Sequence, residues 1–100
     1  MKGSASYTEG QLRVIRHMIE EIGERFRDSP HKEINVTISL KQLEMKTGVE
    51  RTKSFSIVRY FLESENKEYD SKRSGVSGSR YFFAIKRKEY ERWKKVVGLA

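Results

Sequence analysis

The chain contains no cysteine, a single proline, and no apolar run longer than Tyr81–Ile85. Without cysteine there can be neither a disulfide framework nor a cysteine-ligated zinc. The longest apolar run is far short of the ~20 residues a membrane-spanning helix needs, and the opening MKGSAS lacks the apolar core of a secretion signal. A cytoplasmic protein with no membrane partner is therefore expected, nucleoid-associated if the source is prokaryotic. Catalytic groups are sparse too. The two aspartates, Asp28 and Asp70, and the two histidines, His17 and His31, are scattered, with no HxxxH spacing, nucleophile elbow or phosphate-binding glycine loop. No acid, base and nucleophile converge, so the expectation is no enzyme, no metal and no cofactor.

What the chain does contain is charge. Of 100 residues, 35% are charged and 36% apolar, a balance that suits one soluble domain around one core. The charge is unevenly placed. Ser71 to Lys95 holds nine basic residues against two acids, a local surplus equal to the whole formal net charge of +7. Such a surplus reads either as a surface for a polyanion or as an ordinary solvated lysine-rich face.

Local patterns divide the chain into elements. Residues 1–6 are expected to be a flexible or appended N-terminus, 7–97 a folded domain, and 98–100 a tail. Thr8 and Gln11 form a capping-box spacing with Tyr7 as staple to Leu12. Leu12, Ile15, Met18, Ile19, Ile22 and Phe26 then recur at helical steps until Pro30 breaks the pattern. Ile34, Val36 and Ile38 alternate as a half-buried strand does. A second helix is expected from Leu40, capped by Ser39 and stopped by Gly48. A third begins near Arg51, with Phe55, Val58, Phe61 and Leu62 on its apolar side, and fades near Ser64. NKEYDSKR and SRYFFAIK are expected to pair as a hairpin across a loop SGVSG, and RKEYERWKKVVG to close the domain as a fourth helix ending at Gly98.

The order helix, strand, helix, helix, strand, loop, strand, helix resembles the winged helix-turn-helix family, an α+β fold. The resemblance is carried by LKQLEMKTGVERTKSFSIVRYFLES, in which Leu43, Gly48 and Val49 stand at the family's leucine, turn glycine and following apolar position, and by the hairpin KEYDSKRSGVSGSRYFFAIK. It covers roughly Tyr7 to Val97. Glu44 departs from it, standing where the family usually places alanine.

The resemblance implies sequence-specific binding of double-stranded DNA. A recognition helix, about 51–63, would enter the major groove with Arg51, Lys53, Ser54, Ser56, Arg59 and Tyr60. A basic wing, about 71–80, would bring Lys72, Arg73, Ser77 and Arg80 to the backbone. Arg59 is the expected base reader. A transcriptional regulator or a factor in DNA replication or partition would use such a domain, and a homodimer through the first or last helix would suit two-fold operators. Two alternatives share these features. One is a winged-helix protein–protein interaction module in a larger complex. The other is an RNA or single-strand binding domain that stacks bases on Tyr60, Tyr69 or Tyr81.

Overall fold

A computed structural model describes residues 7–99. The expectation for residues 1–6, and Ala100 of the tail, lie outside the described residues. Four helices, α1 (Glu9–Arg27), α2 (Leu40–Thr47), α3 (Arg51–Glu65) and α4 (Arg87–Val96), pack with three strands, β1 (Glu33–Ser39), β2 (Gly75–Ser77) and β3 (Arg80–Lys86). The strands form one antiparallel sheet in the order β1-β3-β2. The architecture is α+β.

The capping signals act as expected. The Thr8 hydroxyl accepts the Gln11 amide at 3.2 Å, while the Gln11 side chain accepts the Thr8 amide at 2.9 Å, so the two satisfy amides that the first turn leaves open. Ser39 accepts from the Gln42 amide at the start of α2, and Gly48 ends that helix at φ 76°, a left-handed position that glycine fills without strain. The α1 stripe differs from expectation at one end. Val14 is buried in the core with Ile15, Met18, Ile19, Ile22 and Phe26, whereas Leu12 is only half-buried. Tyr7 reaches across to α3, its ring 6.1 Å from Phe61 and 6.5 Å from Tyr60.

The stretch after α3 corrects the sequence reading. NKEYDSKR forms no strand. Asn66 accepts the Glu68 amide, Asp70 accepts the Lys72 amide, and Ser71–Arg73 closes into a single 3-10 turn. These side chains offer the backbone local partners that compete with a sheet ladder. The first strand of the hairpin is instead Gly75–Ser77, drawn from the expected loop, and the connection shrinks to Gly78 and Ser79. Gly78 sits at φ 64°, and no described non-glycine residue has a positive φ. That combination belongs to the type II′ hairpin turn, which matches the natural twist of paired strands.

The core is one layer of helices on one sheet face. Val36, Ile38, Tyr81, Phe83 and Ile85 meet the apolar faces of α1, α3 and α4, with Trp93 set edge-on to Phe61 at 5.0 Å between ring centres. Gly23 gives Tyr90 of α4 room against α1, since a Cβ there would fall 2.3 Å from the Tyr90 hydroxyl oxygen. Arg87 fastens the start of α4 to the end of α1. One of its terminal nitrogens, Nη2, donates to the carbonyls of Phe26, Ser29 and His31, and the guanidinium lies over the Phe26 ring. Within the monomer, Val14, Ile15, Met18, Ile19, Ile22 and Phe26 of α1 and Trp93 of α4 are buried in this core, with Tyr90 and Val96 partly buried against it. No described helix is long and apolar enough to cross a membrane.

Candidate functional site

α3 presents its outer side through a row at helical spacing. Thr52, Ser56, Arg59 and Glu63 follow one another at steps of four, three and four residues and are all exposed, flanked by exposed Lys53 and Tyr60. Val58, Phe61 and Leu62 hold the opposite side in the core. Ser54 is on that inner side as well, which removes it from the expected contact set. It is fully buried, and its hydroxyl donates to the Val49 carbonyl at 3.1 Å. Together with Thr47, whose hydroxyl donates to the Leu43 carbonyl and accepts the Val49 amide, Ser54 stitches the turn between α2 and α3. The signal for this was present in the sequence, because Ser54, Val58, Phe61 and Leu62 share one helical row. Thr52 and Glu63 were missed by the sequence reading for the same reason of rotation.

Glu44, the departure from the family pattern, is half-exposed and lies 3.6 Å from Arg51, bridging α2 to the first turn of α3. The Arg59 Nε donates to Glu63 Oε2 at 3.1 Å, and this hydrogen bond with the carboxylate raises the guanidinium's pKa above its ordinary value.

A cluster of aromatic residues joins α3 to the hairpin. Phe55 packs on Tyr81 of β3 with ring centres 5.5 Å apart. The Tyr81 hydroxyl meets that of Tyr69 at 3.3 Å, and Ser74 donates to the Tyr69 hydroxyl at 2.9 Å. Burial pushes the Tyr81 phenol pKa upward, reinforced by the Tyr69 hydrogen bond. Of the three residues named as stacking platforms, Tyr81 is buried and Tyr69 half-buried, leaving only Tyr60 open at 63% exposure.

The hairpin itself is not a projecting finger. All seven residues of β3 pair with β1, and the Ser79 carbonyl at the turn accepts the Leu40 amide at 2.8 Å, tying the tip to the start of α2. Lys72, Ser77 and Arg80 are exposed around it, and neither Lys72 nor Arg80 has an acidic partner among the described residues. Arg73 differs, lying 3.1 Å from Glu33.

The basic surplus of the last third is likewise partly engaged. Lys86 and Lys88 both pair with Glu68, and Lys94 pairs with Glu91. Arg92 pairs with Glu65 and buried Glu89, and also donates, with the Trp93 indole, to the Glu65 carbonyl at the end of α3. In that segment Lys72, Arg80 and Lys95 are the cations with neither an acid nor a carbonyl partner among the described residues. No known family, curated protein or solved structure matches the chain.

Proposed function

We propose that the chain is a winged helix-turn-helix domain that binds duplex DNA selectively, serving a transcriptional regulator or a replication or partition factor. The element order supports this reading, as does the antiparallel sheet whose hairpin returns beside α3. The observation that carries it is the exposed row Thr52, Ser56 and Arg59, joined through Phe55 and Tyr81 to a hairpin bordered by Lys72 and Arg80. Hydroxyl donors and a guanidinium in one row suit base edges in a major groove about 12 Å wide. Lys72 and Arg80 at the hairpin are of a type that suits phosphates.

Binding should depend on salt. With Lys53, Lys72 and Arg80, and with Arg51 and Arg73 exchanging their acids for phosphates, about five phosphates are neutralised. The slope of log affinity on log salt is then about −4.5 per subunit. A fluorescence anisotropy titration of random duplex over a range of salt measures it, and a flat response overturns the reading.

A second reading as a protein-interaction module draws on Met45, 74% exposed, on Tyr60, and on a hairpin tip that is docked rather than projecting. Absence of duplex binding at low salt would favour it.

A further inference from the structure

We propose that Glu63 is a positioning residue that sets the sequence discrimination of Arg59, holding its guanidinium so that the two terminal nitrogens face a base pair. The inference rests on the proposed duplex binding and adds to it the residue that decides specificity. Arg59 is exposed and unburied, so its side chain alone would be free to follow any phosphate. The 3.1 Å bond from Nε to Glu63 changes that. With Nε engaged, Nη1 and Nη2 have no partner among the described residues. They are the pair of donors that fits the O6 and N7 acceptors of guanine.

Helix stability favours an acid at this place only weakly. An i,i+4 ion pair is better with the acid first, and here the arginine precedes the glutamate. Glu63 also falls in the last turn of α3, where the helix dipole disfavours negative charge. It stands in the same exposed row as Thr52, Ser56 and Arg59, where a carboxylate repels phosphates. On the proposed duplex-binding surface an acid there would weaken binding to all DNA, and the bond to Nε offers an offsetting benefit in orienting Arg59.

The test uses the full chain and a duplex selected from a random pool. Affinity is measured for that duplex, for single-base-pair variants of it, and for a scrambled duplex. Glu63→Ala removes both the charge and the acceptor. Affinity for the scrambled duplex should rise about two- to fivefold at low salt, while discrimination at one base pair falls about fivefold or more. Glu63→Gln removes the charge but keeps an acceptor for Nε. It should raise affinity for the scrambled duplex similarly and keep discrimination within about twofold of the unmodified chain. In an Arg59→Ala background, Glu63→Ala should have no further effect on discrimination, which a merely structural role would not predict.

Unchanged discrimination in Glu63→Ala overturns the inference, as does equal loss in Glu63→Gln, and both leave duplex binding standing. If the chain selects no duplex at all, the proposed function itself falls, and this inference with it.

Discussion

Phe55 of α3 rests on Tyr81 of β3 with ring centres 5.5 Å apart, one of the contacts that join the outer row of the helix to the hairpin. Phe55 is half-buried, so truncation should cost less than a fully buried phenylalanine would. Phe55→Ala is expected to lower stability by about 2 kcal/mol in urea unfolding. Duplex affinity should also fall at temperatures where the variant remains folded, because the helix and the cations at Lys72 and Arg80 would no longer be held in register. Full affinity in a folded Phe55→Ala protein would show that the two elements bind independently.

Ser54 separates a structural role from a contact role. The hydroxyl of buried Ser54 donates to the Val49 carbonyl, and Ser54→Ala leaves that acceptor without its side-chain partner. The expected loss is about 1–2 kcal/mol of stability. Duplex affinity of the folded fraction should not change. A variant of normal stability but weakened binding would return Ser54 to the contact surface.

Much of this architecture was legible because its signals are local. The capping box at Thr8, the cap at Ser39 and the stop at Gly48 each depend on residues within four positions, and each appears where the pattern placed it. The hairpin was read one segment off, because Glu68, Tyr69 and Asp70 have the mixed character of an edge strand while the decisive partners are the Asn66 and Asp70 side chains. Neither the docking of the Ser79 carbonyl on Leu40 nor the use of Arg87 and Arg92 to cap distant helix ends leaves a local trace. For that reason the basic surplus appeared larger from sequence than the surface it supplies. At the candidate site, the type of residue on α3 was legible, but the rotation that hides Ser54 and brings out Thr52 and Glu63 required the full apolar row to be weighed.

Gly23 is a position where two known effects oppose each other. Alanine in a helix interior is favoured over glycine by about 1 kcal/mol. Here, however, the new methyl group would fall within 2.3 Å of the Tyr90 hydroxyl oxygen and 3.0 Å of the ring carbon bearing it. Overpacking costs about 1–3 kcal/mol, and moving the ring also disturbs its contact with Phe26, 5.4 Å away. Gly23→Ala should therefore destabilise by about 1 kcal/mol. Combining it with Tyr90→Phe, which removes the closest atom, should recover part of the loss in a double-mutant cycle. Stabilisation by the single change would show that the α1–α4 seam has room the distances deny.

Alkaline pH provides a separate test of the aromatic seams. Burial, with the charge of Glu65 adding to it, pushes the Tyr7 phenol up to about 12, and burial raises Tyr81 as well. An unfolded phenol ionises near pH 10, so above that the native state holds protons that the unfolded chain has released. Stability from these groups is complete below about pH 10 and is lost as pH rises toward 12. Of the five tyrosines, Tyr7 and Tyr81 should ionise late in a tyrosinate absorbance titration. Tyr7→Phe should flatten the alkaline fall in melting temperature. A titration with all five phenols ionising together near pH 10 contradicts the burial of both rings.

The basic residues of the last third divide into two kinds, and substitution should distinguish them. Arg87 donates to the Phe26 carbonyl in the last turn of α1 and to the Ser29 and His31 carbonyls just beyond it, and covers the Phe26 ring, so Arg87→Ala removes hydrogen bonds from a charged donor as well as packing. It should cost about 2 kcal/mol of stability and leave the salt slope of the folded protein unchanged. Lys72 and Arg80 are exposed and have no acidic partner among the described residues. Their joint replacement by alanine should leave the melting temperature within experimental scatter, weaken binding to every duplex alike and reduce the salt slope by about 2. The reverse outcome, in which Arg87 governs the slope and the Lys72–Arg80 pair governs the melt, would move the binding surface from the hairpin to the start of α4.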